Sequence, residues 1–195
     1  MKHTYMIYEG AVSPEICDSI IKQFKEENFI SGKVGATGDQ GRIDTKIRNT
    51  EIQWASKNSL VECIISRFII QANQEAIWNF DITEPELVQI GKYEENQFYE
   101  QHIDCYIKGG DVIATGNGGG IIVPMLLQRK ISASLLLNDE SEYEGGDLLM
   151  LNETITTKKQ GTIIVFPSFM AHQVTPVTRG VRYSAVCWMA GPKWK

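Results

Sequence analysis

The sequence predicts a mainly β protein with flanking helices, an α+β arrangement whose core is a jelly-roll barrel. Three observations carry that expectation. Two amphipathic helical stripes lie in residues 1–80, and from Glu86 onward the apolar period falls to two. About eight short strand-like runs then follow, each bounded by Gly, Pro, Asn or Asp, which suits a jelly roll with the helices packed outside one sheet. A chain of 195 residues with 43% apolar side chains has ample material for one core. One domain over residues 1–195 is therefore expected, helical in 1–80 and barrel in 86–190.

The elements follow in order. Ser13-Pro14 supplies an N-cap and a proline in the first turn, and Ile16, Ile20, Ile21 and Phe24 form one stripe on a helix reaching about Asn28. Residues 31–50 are polar and show no period. Ser59-Leu-Val-Glu62 fits a capping box, followed by a second stripe of Leu60, Ile64, Ile65, Phe68, Ile69 and Ala72. Strands are expected at 86–93, 98–106, 131–137, 147–151, 162–166, 171–176 and 181–189. A further strand is expected at 121–127 and a polar hairpin arm at 154–159. Lys108–Gly120 breaks the pattern with six glycines. It lacks the Gly-Lys-Ser/Thr of a phosphate loop and the spacing of a dinucleotide fingerprint. It reads either as a plain connection or as a lid over the barrel mouth ordered by substrate.

The formal charge of −5 offers no broad basic surface, so nucleic acid is not an expected partner. No apolar run is long enough to cross a bilayer, and Met1–Tyr8 lacks the apolar core of a signal peptide. The four cysteines at 17, 63, 105 and 187 are dispersed, which suits reduced thiols in the cytoplasm.

Chemistry enters with the histidines, of which the chain has three. His102 and Asp104 sit two apart in an expected strand, so they project to one face, while Ile103 and Cys105 turn away and Cys105 reads as packing. His172 comes from a later strand that a barrel brings alongside. Two imidazoles and one carboxylate, with other positions open, are the ligand set of non-haem Fe(II) oxygenases. His3 fits no site and reads as a terminal surface residue. Arg182, Ser184, Val186 and Trp188 share one face of the last strand. A buried guanidinium there suits the distant carboxylate of 2-oxoglutarate, which donates two electrons to such chemistry by oxidative decarboxylation. Ser184 reaches the same carboxylate and Trp188 walls the pocket nearer its mouth. Arg179, read as a turn residue, is the alternative anchor.

These residues resemble the prolyl 4-hydroxylase type of 2-oxoglutarate/Fe(II) dioxygenase. The matching stretches are Tyr93, Tyr99-Glu-Gln-His102-Ile-Asp104, Leu135-Leu-Leu-Asn138, Tyr143-Glu-Gly-Gly-Asp-Leu148, Phe166-Pro-Ser168, His172-Gln-Val-Thr-Pro176 and Arg179-Gly-Val-Arg182-Tyr-Ser-Ala-Val-Cys-Trp188. The resemblance implies a double-stranded β-helix, a cupin-like jelly roll, with Fe(II) on His102, Asp104 and His172. It implies that Arg182 and Tyr93 hold 2-oxoglutarate, that Leu135 or Leu137 lines the pocket, and that O2 and ascorbate take part. Tyr99 matches a second aromatic position, but strand alternation turns it from His102 unless a bulge intervenes. The implied reaction hydroxylates an aliphatic carbon, in the first instance a prolyl residue in a peptide or protein, releasing succinate and CO2. The glycine-rich segment departs from the family pattern. The alternatives are the same chemistry on a free amino acid or other small molecule, a nucleic-acid dealkylase, and a zinc-binding or non-catalytic barrel.

Overall fold

The structure, a computed structural model, describes residues 3–24, 26–35, 41–105, 112–114, 120–122 and 127–194, with only the backbone path at 112–114 and 120–122. The first half holds β1 (Met6–Tyr8), α1 (Pro14–Ile21), β2 (Ile30–Ser31), β3 (Arg48–Asn49), β4 (Glu51–Trp54) and α2 (Leu60–Glu75). Next come β5 (Glu84–Pro85), β6 (Gln89–Tyr93), β7 (Phe98–His102), β8 (Val112–Ala114) and β9 (Gly120–Ile122). The chain continues through β10 (Leu127–Leu136), β11 (Tyr143–Gly145), β12 (Leu148–Met150) and β13 (Glu153–Thr154). It ends with β14 (Ile163–Pro167), β15 (His172–Val174), β16 (Val177–Gly180) and β17 (Arg182–Pro192).

Two antiparallel sheets organise most of these strands, with β11–β16 and β8–β9 as separate two-stranded pairs. The larger runs β1-β14-β10-β17-β6-β4-β2, with β5 also paired to β17, and the smaller runs β13-β12-β15-β7-β3. They face each other across one core, to which Tyr93, Leu136, Ile164 and Phe166 come from the larger sheet and Leu148, Met150 and Val174 from the smaller. On the outer face of the larger sheet, Val61, Ile65, Ile69 and Ala72 of α2 pack on Ala133, Leu135, Val165, Ala185 and Cys187. This is the expected jelly roll with helices outside one sheet.

Alternation along the central strands sorts side chains between the layers. Ile131, Ala133 and Leu135 of β10 and Tyr183, Ala185, Cys187 and Met189 of β17 belong to the helix-side core. Leu136, by contrast, enters the barrel. The expectation that Leu135 or Leu137 lines the pocket is thus corrected: both lie in the helix-side core, and Leu136 between them faces inward.

Several boundaries also move. Helix α1 stops at Ile21, and a separate 3-10 turn covers Glu26–Asn28. There the Glu26 carboxylate accepts hydrogen bonds from Lys92 (2.6 Å) and the Tyr183 hydroxyl (2.9 Å). Ile16 is exposed, and Cys17 takes its place in the buried stripe. The capping box expected on α2 does not form: Ser59 occupies the N-cap without a side-chain cap bond, and Glu62 accepts instead from the amide of Asn58, one residue before the cap, at 3.2 Å. The segment read as helical supplies β1 to β4 as well, and β2, β3 and β4, at two to four residues each, are too short to display a period. Strand β7 ends at His102, not near 106, and β13 covers only the start of the expected polar arm. Of the glycine-rich segment, β8 and the start of β9 pair with each other; the rest, and with it the lid reading, lies outside the described residues, as do 123–126 of the expected strand 121–127. Among the described residues no helix is long and apolar enough to cross a membrane.

Candidate active site

The register of the smaller sheet brings the two histidines together. His102 is the last residue of β7 and His172 the first of β15, and they are direct cross-strand partners with ring centroids 4.2 Å apart. Asp104 arrives differently from the way strand alternation suggested. It lies in a bend two residues past the end of β7, where its amide and that of Cys105 both donate to the Ser168 carbonyl at 2.9 Å. The bend buries both Asp104 and Cys105 and leaves Ile103 exposed. Asp104 Oδ1 is 3.8 Å from His102 Nε2, and Oδ2 is 3.5 Å from His172 Nε2. One ligand atom from each of the three residues lies within 4.8 Å of the others.

The surroundings fix the chemical form of these donors. His102 Nδ1 is 2.8 Å from the Glu100 carbonyl and His172 Nδ1 is 3.0 Å from the Met170 carbonyl. A carbonyl only accepts, so each Nδ1 carries a proton, and each Nε2, the atom nearer Asp104, is the one positioned to ligate. Burial and the neighbouring His172 push His102 down to about 4, against the opposing pull of Asp104. Burial alone raises the Asp104 carboxyl, but His172, His102, Arg129 and the Ser132 hydrogen bond outweigh it and hold the group at about 2. A neutral imidazole and an ionised carboxylate are the states that bind a divalent ion.

Tyr99 stacks on His102, with ring centroids 3.6 Å apart and planes 12° from parallel, and the Arg48 guanidinium covers the same tyrosine at 4.6 Å. Alternation had turned Tyr99 away. The difference is a bulge: Val174 pairs with Tyr99 and His172 with His102, so three steps on β7 oppose two on β15. The resemblance already matched Tyr99 to an aromatic position, and that was the available signal.

Deeper in the barrel lies Arg182, 2% exposed. Its Nη1 donates to Ser184 Oγ at 3.2 Å, its guanidinium carbon is 5.3 Å from the centre of the Tyr93 ring, and its Nε is buried with no hydrogen-bond partner. Tyr93 and Arg182 are register partners on β6 and β17. Among the described residues no carboxylate lies within ion-pairing distance of Arg182; Asp147, which lines the same cleft, is paired with Lys158 at 2.7 Å. Gly146 makes this arrangement possible. It has φ +60°, and a Cβ there would sit 2.8 Å from Arg182 Cδ. Trp188 stands opposite Ser132, the residue bonded to Asp104, and so lies by the metal end of the barrel. Its ring lies 3.8 Å beneath Arg129, which holds Glu86 through two bonds of 2.7 and 2.6 Å. Arg179 is placed apart: it belongs to strand β16, not a turn, and its exposed side chain pairs with Glu144 at 2.9 Å. Sequence reasoning passed over Ser132, Ser168, Gly146 and Leu136. Polar positions alternating through the apolar run Ile131–Leu137 were the visible signal for the first.

Two imidazoles and one carboxylate are a donor set for Fe(II), and a buried cation with an unsatisfied N–H suits an anionic co-substrate. A two-sheeted barrel carrying both defines the class of double-stranded β-helix oxygenases.

The family model of the 2OG-Fe(II) oxygenase superfamily matches residues 88–190, and the chain belongs to that family. It is accordingly a dioxygenase, with Fe(II), 2-oxoglutarate and O2 as the participants of its reaction. Among similar proteins is the PKHD-type hydroxylase YbiX of Escherichia coli, 27% identical over 187 residues, covering 92% of this chain and 75% of that protein. A Pseudomonas putida prolyl-4-hydroxylase shares the fold with a TM-score of 0.69 at 18% identity, over 96% of this chain and 92% of that one. The viral collagen prolyl hydroxylase of Paramecium bursaria Chlorella virus-1, solved with 2OG, gives 0.68 at 20% identity, over 98% and 97%. A Trichoplax adhaerens prolyl hydroxylase bound to a hypoxia inducible factor peptide gives 0.64 at 16%, over 95% and 83%.

Proposed function

We propose that the chain hydroxylates an aliphatic carbon of a prolyl residue in a peptide or protein, with His102, Asp104 and His172 as the iron ligands. The observation that carries the site assignment is Arg182: a buried guanidinium with no carboxylate in ion-pairing distance among the described residues, in the same barrel as the triad. When bound, Fe(II) and 2-oxoglutarate supply the two-electron activation of O2 that oxidises a C–H bond, with succinate and CO2 released. Arg182 neutralises the distant carboxylate of 2-oxoglutarate, with Ser184 and Tyr93 beside it. The carbonyl-bound Nδ1 atoms keep both imidazoles aimed, and Trp188 with the Glu86–Arg129 pair screens the metal end from water. Ascorbate as reductant belongs to the same proposal.

Support for a prolyl substrate comes from the hydroxylase names of the relatives, and the Trichoplax protein was solved with a peptide. The test is a screen of proline-containing peptides and free amino acids for substrate-dependent succinate release, with mass spectrometry of the product. A peptide gaining one oxygen on proline is the expected result. Turnover of amino acids or other small molecules alone would overturn the peptide assignment.

A further inference from the structure

With Asp104 read as a metal ligand, we propose that Ser168 and Ser132 are positioning residues whose hydroxyls form a directed chain that keeps this carboxylate a one-oxygen ligand. Ser132 Oγ lies 2.7 Å from Asp104 Oδ2 and 2.9 Å from Ser168 Oγ. Both serines are 0% exposed and so cut off from bulk solvent, where a buried hydroxyl is held by the partners around it.

The proton order follows from valence. An ionised carboxylate only accepts, so Ser132 gives its single proton to Oδ2. The contact with Ser168 is then one that Ser132 accepts, and Ser168 is the donor. The direction runs from Ser168 to Ser132 to Asp104. Backbone bonds hold the same three strands of chain in place. The Ser168 amide donates to the Lys130 carbonyl at 2.9 Å, and the Ser168 carbonyl accepts from the Asp104 and Cys105 amides. Ser168 thus clips the bend after β7 to β10, and Ser132 reaches across from β10 to the carboxylate.

Both carboxylate oxygens border the space between the imidazoles, Oδ1 facing His102 and Oδ2 facing His172. Unrestrained, the group has a two-oxygen grip open to it. A hydrogen bond that occupies Oδ2 favours coordination through one oxygen. An octahedral ion held by two imidazoles and one oxygen keeps three positions, enough for a two-point 2-oxo acid and O2. A second carboxylate oxygen would take one of them.

The test uses the full chain and Co(II) alone, followed by its visible d–d absorption, which reports both affinity and coordination. Ser132→Ala is expected to weaken Co(II) binding by about ten- to a hundredfold and to alter the band shape. Ser168→Ala is expected to shift both in the same direction by less, and it serves as the test should Ser132→Ala fail to fold. Ser132→Thr, which restores a hydroxyl, should return both towards wild type. Thermal melts of the metal-free variants establish that they are folded. Asp104→Ala separates the two levels of the argument. If it binds Co(II) like the wild type, the ligand assignment itself is wrong. If it loses Co(II) while both serine-to-alanine variants keep wild-type affinity and spectrum, the relay alone is overturned. A folded Ser132→Thr as weak as Ser132→Ala would also overturn it, by tracing the loss to packing.

Discussion

Replacing Arg182 by methionine should produce two effects of opposite sign. Arg182 is 2% exposed, donates one 3.2 Å bond to Ser184 and has no partner for Nε among the described residues. Removing a buried charge that has no counter-charge among the described residues, in favour of an apolar side chain of similar length, is neutral or stabilising. The melting temperature of the metal-free protein should therefore hold or rise. For 2-oxoglutarate the substitution removes two charge-assisted hydrogen bonds, at about 1.5–3 kcal/mol each. The sum, about 3–6 kcal/mol, corresponds to a roughly hundred- to ten-thousand-fold weaker affinity. Isothermal titration of the Mn(II)-loaded protein with 2-oxoglutarate reads the second effect without any need for substrate, and calorimetric melting reads the first. Unchanged 2-oxoglutarate affinity would refute the anchor. A destabilisation of about 3–5 kcal/mol, the loss expected on breaking a buried ion pair, would show that Arg182 has a structural partner instead.

Four further outcomes are expected. Gly146→Ala forces a side chain into left-handed backbone 2.8 Å from Arg182 Cδ, and should weaken 2-oxoglutarate binding in the same titration with Arg182 still present. Arg179→Ala should leave that affinity unchanged, because its pair with Glu144 is 64% and 61% exposed; a large loss would transfer the anchor to Arg179. Tyr99→Ala removes a ring stacked at 3.6 Å on His102, a contact of about 0.5–1.5 kcal/mol, and should weaken Mn(II) binding several-fold. The metal-free protein should lose stability on acidification. His102 titrates at about 4 in the fold against an ordinary 6.5, so the unfolded chain binds the proton that the fold refuses, and stability falls as pH drops from about 6.5 to 4, by roughly 3 kcal/mol. Melting temperature against pH should show this slope in the wild type and a shallower one in His102→Gln.

The barrel and its site were legible because they rest on periodicity and on rare residues. Alternation from Glu86 onward marked β6, β7, β10, β12, β14, β15 and β17, and of the even positions of the last strand Arg182, Ser184 and Trp188 are buried while Val186 is half-buried. Three features did not stand out in the pattern. The bulge that stacks Tyr99 on His102 is a property of pairing between two strands, and neither strand alone displays it. Asp104 is aimed by a bend clipped to the Ser168 carbonyl, so it meets the two histidines by a route other than the strand geometry the sequence suggested. Which leucine of Leu135-Leu-Leu137 faces inward is masked by three identical residues in a row, and only the alternation of Ser132 and Ser134 just before them, carried one step further, points to Leu136. The strands β2 to β4 escaped notice for a simpler reason: two to four residues cannot show a repeat.

The most direct measurement is a crystal grown with Mn(II) and 2-oxoglutarate without O2, with the metal located by anomalous scattering. One peak is expected within bonding distance of His102 Nε2, His172 Nε2 and a single Asp104 oxygen, with the co-substrate running from it to the Arg182 guanidinium. A peak elsewhere, or a co-substrate carboxylate paired with any cation but Arg182, would contradict the account.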